Sequence, residues 1–129
     1  MQQEHYVRPS GLPPVNGYSH AVVHHGHSIL ISGQVPLDAD GNLVGAGDPE
    51  RQVAQVFTNL ATALAAAGAG MRDVVKLTVY LTERADLAAF RRVRDRHIDL
   101  SRPPASTLVL VHGLIDPAFR VEIDALAVR

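Results

Sequence analysis

The sequence predicts an α+β domain in the order β-β-α-β-α-β-β, with a mixed sheet and two helices packed on one face. Three observations predict it. Val75, Leu77, Val79 and Leu81 alternate with Lys76, Thr78 and Tyr80, the period of a half-buried strand. Phe119, Val121, Ile123, Ala125 and Ala127 alternate in the same way with Arg120, Glu122 and Asp124 near the C-terminus. Between and before these runs lie two segments whose apolar residues recur at spacings of three and four, the stripe of a helix lying on a sheet.

The elements follow in order. Residues 9–17 are rich in Pro and Gly and read as an irregular arm. A strand then begins, with Ala21, Val22 and Val23 between His20 and His24. After a turn at His25-Gly26, residues 28–36 form a β-rich run, and the short polar connection predicts an antiparallel hairpin between the two. Residues 38–47 read as loop. Asp48-Pro49-Glu50 is a helix start: the Asp48 carboxylate caps free N–H groups, Pro49 suits the first helical position and Glu50 complements the dipole. Val53, Val56, Phe57, Leu60 and Leu64 supply the apolar stripe, and Gly68 offers a stop.

After the strand at Val74–Leu81, Asp86 precedes a second helix. Leu87, Phe90, Val93 and His97 share its inner face, and Arg91, Arg92, Arg94 and Arg96 read as a solvated face. Arg102-Pro103-Pro104 ends that segment. Strands over residues 106–111 and 120–128 close the chain. A sheet with helices on one side leaves its second face bare, and oligomerisation is the expected cover.

The whole-chain properties narrow the function. A chain of 129 residues fits one domain, residues 1–129. Twelve basic and 13 acidic residues leave a formal net charge of −1, so nucleic acid is not an expected partner. Cysteine is absent, which removes disulfides and thiolate chemistry. The first residues lack the basic-then-apolar plan of a secretory signal, and no apolar run approaches the roughly 20 residues of a membrane span. A soluble, cytoplasmic protein with no membrane partner is expected. His24, His25 and His27 cluster at a turn without the spacing of a metal site, so no metal is expected. Ser106 and Thr107 lack the nucleophile elbow of covalent catalysis.

Four stretches, residues 17–21 (Gly-Tyr-Ser-His-Ala), 31–36 (Ile-Ser-Gly-Gln-Val-Pro), 73–81 (Asp-Val-Val-Lys-Leu-Thr-Val-Tyr-Leu) and 121–128 (Val-Glu-Ile-Asp-Ala-Leu-Ala-Val), resemble RidA/YjgF signatures in the family's order. The resemblance implies a chorismate-mutase-like fold and a homotrimer with small-molecule clefts between neighbouring subunits. It also implies hydrolysis of reactive enamines and imines to ketoacids and ammonia, with no metal or organic cofactor. Carried over residue by residue, it makes Glu122 the catalytic residue that handles the attacking water. Tyr18, Ser32 and Gly33 become lining residues of the substrate site.

The family's carboxylate-gripping arginine has no match, because Pro104-Ala105-Ser106-Thr107 places Ser106 at its position. A guanidinium offers a planar fork with charge-assisted bonds worth roughly 1.5 to 3 kcal/mol each, and a serine offers one neutral hydroxyl. Efficient turnover of 2-aminoacrylate is therefore not expected, and Ser106 and Thr107 are expected to bind a different substrate, amino-acid-derived or from ring cleavage. Arg91 stands where the family usually has asparagine; it either restores a cation to the cleft or belongs to the solvated face. The leading reading is an imine or enamine hydrolase, and the alternative is a noncatalytic small-molecule-binding or regulatory trimer.

Overall fold

The computed structural model describes residues 3–129. Its elements are β1 (Gln3–Tyr6), β2 (Ala21–His24), β3 (Ser28–Gln34), α1 (Pro49–Ala66), β4 (Val74–Leu81), α2 (Leu87–Asp95), β5 (Ala105–Leu110) and β6 (Val121–Val128). Four strands form the main sheet in the order β3-β6-β4-β5, and β1 pairs with β2 in a separate two-stranded sheet. The main sheet is mixed: β4 and β5 run parallel, whereas β6 is antiparallel to both β3 and β4. No helix among the described residues is long and apolar enough to cross a membrane.

The expected stripe of α1 is the core. Val53, Val56, Phe57, Leu60 and Leu64 are buried against Leu77, Val79 and Leu81 of β4 and Val121, Ile123, Ala125 and Ala127 of β6. Burying each of the larger side chains is worth about 1.5 to 3 kcal/mol relative to exposure. Phe90 and Val93 of α2 join the same cluster, with the Phe90 ring 6.4 Å from that of Phe57. At the start of α1 the Asp48 carboxylate accepts from the Arg51 N–H at 3.1 Å, as the Asp-Pro-Glu start requires. At its end Gly68 takes φ +76°, and its N–H bonds the Ala65 carbonyl at 3.0 Å.

Two expectations are corrected. The antiparallel hairpin between β2 and β3 does not form: β2 pairs with β1 from Gln3↔His24 to Tyr6↔Ala21, and β3 pairs with β6. Beyond the turn at Gly26, His27 and Arg129 exchange both backbone hydrogen bonds, so the ladder with the chain end claims the strand from its first residue. Strand β1 itself was not expected, because its inward positions are polar. Gln3 donates to the Arg72 carbonyl at 3.3 Å, while His5 bonds the Pro103 carbonyl at 2.8 Å and the Gln3 amide at 2.7 Å. Hydrogen bonding there replaces the apolar alternation by which a strand is read.

A buried polar joint locks the N-terminus of α1, the approach to α2 and the start of β6. Arg120 donates through Nε and Nη2 to the two carboxylate oxygens of Asp86, each at 2.8 Å. Gln52 accepts from the Arg120 N–H at 2.8 Å and donates to the carbonyls of Gly45 and Ala118. Asp86 is 3% exposed, so removing its partner charge strands a buried group. Because Arg120 keeps partial contact with solvent, Asp86→Ala is expected to cost about 2 kcal/mol, below the usual loss for a fully buried pair, read as a lower urea midpoint at unchanged m-value.

His97, one residue past the end cap of α2, stacks on Phe57 with ring centroids 4.8 Å apart and planes 5° from parallel. Burial, and secondarily the charge of Arg96, holds its pKa below the ordinary 6.5. The unfolded chain therefore binds the proton more tightly, and the stability this ring contributes is present above about pH 6.5 and lost as pH falls toward the lowered folded value. Replacing it in His97→Phe is expected to flatten that part of the profile, seen as a smaller drop in thermal midpoint between the natural chain's neutral and mildly acidic scans.

Candidate functional site

Parallel pairing of β5 with β4 decides where its side chains point. Ser106 lies in register with Leu77, a core residue, and so faces the helices; Thr107 lies in register with Thr78 and faces the open side. There the Thr107 hydroxyl accepts from Lys76 Nζ at 2.7 Å. Adjacent in sequence, Ser106 and Thr107 thus belong to opposite faces of the sheet.

On the helix side, a cleft of about 380 Å³ opens between β5, α2 and the segment leading to β2. Tyr18 and Asn16 form one wall, Ser106 and Leu108 the strand wall, and Leu87, Phe90, Arg91 and Arg94 the helix wall. The Tyr18 ring meets His20 edge-on at 5.4 Å. Arg91 is exposed and has no hydrogen-bond or ion-pair partner among the described residues.

Arg94 corrects the expectation of a solvated arginine face, because it is only 6% exposed. Its Nε and Nη2 donate to Asp95 Oδ1 at 3.0 and 2.8 Å, Nη1 donates to the Asn16 carbonyl at 3.1 Å and Nη2 to Asn16 Oδ1 at 2.8 Å. Its guanidinium also lies 5.6 Å from the Phe90 ring centroid. Gly17 makes the approach possible: it holds φ +69°, and a Cβ there would collide with the guanidinium. Arg92 pairs instead with Glu50 at 2.7 Å. The spacing of three from Arg91, which puts Arg94 on the same helix face, was the available signal.

Glu122, Ser32 and Gly33 gather elsewhere, on the bare side of the sheet. Glu122 lies opposite Tyr80 across the β4–β6 ladder, and Asp124 opposite Thr78. The Tyr80 hydroxyl donates to Asp124 at 3.4 Å, and its pKa is raised, first by the Asp124 charge and in smaller part by Glu122. The β3–β6 register shifts between Ile31 and Gln34, which places Ser32 and Gly33 in an irregularity of the strand. A Cβ on Gly33 would collide with the Glu122 carboxylate, so the glycine leaves room for that side chain. A larger groove of about 600 Å³ reaches Gly33 from the α1 side, its walls mixing apolar Val35, Leu37 and Ala63 with the amides of Gln55 and Asn59 and the hydroxyl of Thr62.

The described residues therefore bring Tyr18, Arg91 and Ser106 into one cleft, and Ser32, Gly33 and Glu122 into a second group. Thr107 stands apart from both.

This order of elements, with two helices on one face of a mixed sheet, is the chorismate-mutase-like α+β fold. Residues 9–129 match the family described as Endoribonuclease L-PSP, and the chain belongs to that family, the RidA/YjgF proteins. A RutC family protein from Synechocystis is 37% identical over 116 residues, spanning 89% of this chain and 88% of the relative. A 2-iminobutanoate/2-iminopropanoate deaminase from Dermatophagoides farinae is 29% identical over 120 residues, or 93% of this chain and 91% of that protein. The crystal structure of the Rid family protein YyfB from Yersinia pestis superposes with a TM-score of 0.91 at 34% identity, over the whole of both chains.

The Gly17 contact carries a consequence for the cleft wall. Gly17→Ala forces a side chain into left-handed backbone, at about 1 to 2 kcal/mol, and onto the Arg94 guanidinium. The expected result is a lower urea midpoint with a total loss above that backbone cost, whereas Gly11→Ala, at another positive φ but in open space, loses only the backbone part.

Proposed function

We propose that this chain hydrolyses an imine or enamine to a carbonyl compound and ammonia, as a cytoplasmic homotrimer that uses no cofactor. The observation that carries the proposal is the division of the candidate residues between two groups on opposite faces of one sheet. Ser106 belongs to the β5 edge, and Ser32 and Gly33 to the β3 edge, with Glu122 on the neighbouring strand β6. One copy cannot close such a site. A head-to-tail contact that closes into a ring sets the β3 edge of one subunit beside the β5 edge of the next. Exposed apolar residues at both edges, Leu30 at 82% on β3 and Leu108, Val109 and Leu110 on β5, favour such a contact.

In the joined site Glu122 takes a proton from water as the oxygen bonds to the imine carbon, and the C=N electron pair moves to nitrogen. Glu122 returns that proton to the nitrogen, and the hydroxyl proton, relayed by the same carboxylate, follows as the C–N bond breaks, so that ammonia leaves and the carbonyl forms. An enamine enters by first taking a proton on carbon to become the imine. Tyr18, Ser32, Gly33 and Ser106 shape the cleft, and Thr107, on the open face, belongs to the contact with the neighbour rather than to the helix-side pocket. With Ser106 at the place of the family arginine, the substrate differs from 2-aminoacrylate.

The relative named as an iminobutanoate and iminopropanoate deaminase supports the chemistry. The endoribonuclease description of the family finds less support here, since the net charge is −1, Arg92 is paired and Arg94 is buried. The alternative is a noncatalytic binder of the same assembly, favoured by Ser106.

Ammonia release from freshly generated amino-acid imines decides between them. The natural chain is expected to turn over at least one imine, and Glu122→Gln to lose about a hundredfold or more in kcat, the contribution of a positioned general base. Saturable ligand uptake with no ammonia released from any imine would leave the binder.

A further inference from the structure

We infer that Arg91 and Arg94 set the specificity of the helix-side cleft, which takes a carboxylate bearing an aromatic or branched apolar group, with the anion held from α2 rather than from β5. The two arginines are three residues apart, on one face of the helix, and line the same cleft. They play different parts. Arg94 is a fixed positive wall: four of its hydrogen bonds run to Asn16 and Asp95, and one of the five guanidinium N–H groups remains uncommitted. Arg91 is a fork at the rim whose donors have no partner among the described residues. Asp95 offsets one of the two charges, so the cleft keeps an excess of one positive charge.

The remaining walls define the rest of the ligand. Leu87 and Leu108 present apolar surface in front of the buried Phe90 ring, and Ser106 and Tyr18 add neutral hydroxyls. The carboxylate of a ligand seated against α2 points its substituent toward Leu108 across the cleft. A space of about 380 Å³ lies within the range that holds a ring-sized ligand, and a two- or three-carbon acid would leave most of it filled with water. Serine at 106 in place of a long cationic side chain leaves that space open.

This inference deepens the imine-hydrolase reading by naming the side chain of its substrate, and it is tested by binding alone, so that the two fail separately. Isothermal titration of the whole protein with phenylacetate, acetate and the neutral phenylacetamide separates charge from shape. Phenylacetate is expected to bind at least about tenfold more tightly than phenylacetamide, the worth of one charge-assisted hydrogen bond, and at least about tenfold more tightly than acetate, from burial of its ring. Arg91→Gln, an exposed position that leaves folding untouched, is expected to lose about tenfold for phenylacetate and nothing for phenylacetamide. Arg94→Lys keeps the charge but breaks the fork, and is expected to lower the same ratio. Should that variant not fold, Asp95→Asn, which unmasks the Arg94 charge from a half-exposed position, is expected to raise it. A merely structural role for the arginines would shift both ligands together.

Equal binding of acetate and phenylacetate overturns the inference, as does a carboxylate-to-amide ratio unmoved by Arg91→Gln and Asp95→Asn. A chain that binds phenylacetate as expected but releases no ammonia from any imine sinks the hydrolase and leaves this site standing. A chain that releases ammonia yet prefers acetate does the reverse.

Discussion

The fold depends on one constraint, the period-two alternation of β4 and β6 against a single layer of helices. The apolar residues that the alternation turns inward from Leu77 to Leu81 and from Val121 to Ala127 share one core with the buried side chains of α1 and α2, and Val79 and Ile123 lose all contact with water. The same alternation turns Lys76, Thr78, Tyr80, Glu122 and Asp124 to the other side, where each stays partly exposed among the described residues. A core built on one face thus creates a second face crowded with ionisable groups, held in register by the central ladder. The position of Glu122 is in this sense a by-product of burying Val121 and Ile123.

Around that ladder the polar side chains divide into two kinds. Asp86, Arg120 and Gln52 satisfy one another's charges and amides and tie the ends of three elements together. Arg94 is different: its partners hold it rigid at the wall of a cleft without using all of its donors, beside a second arginine that has no partner among the described residues. Arg94 is preorganised, because its partners have already removed its side-chain freedom, whereas Arg91 is still to be ordered when an anion enters. The positive φ at Gly17 belongs to the same device, because it lets the backbone close over the guanidinium.

Much of the fold was legible in the sequence because it is written in periodicity and caps. The Asp-Pro-Glu start of α1, its apolar stripe and the alternation of β4 and β6 each follow from a local rule and are where those rules put them, except at the start of β4, where a register shift between Val74 and Lys76 gives the core Val74 in place of Val75. Pairing partners were not legible. Nothing local tells β2 that its neighbour is β1 rather than β3, and β1 hides its inward face behind the hydrogen bonds of Gln3 and His5. Of the candidate site, the residues could be named one by one from the resemblance, but not their division between two faces, which depends on the parallel register of β5. Arg94 was missed because four arginines in six positions read as a solvated stripe. Its burial comes from a contact with Asn16, 78 residues away.

The separation of the two groups also bears on how such a fold changes substrate. If the water-handling carboxylate and the ligand-reading cleft come from different subunits, as proposed, they sit on elements with different duties in the core. Glu122 is tied to the central strand, where a shift of one residue would turn Val121 and Ile123 out to water. Ser106 and Arg91 sit on an edge strand and on the outer turns of a short helix, where exchange costs the core little. A cation can therefore move from strand to helix, and the anion with it, while the general base keeps its place on the opposite face. In the proposed site, the part whose position the core fixes is the part that any imine would need, and the part on freely exchangeable elements is the one that reads the side chain.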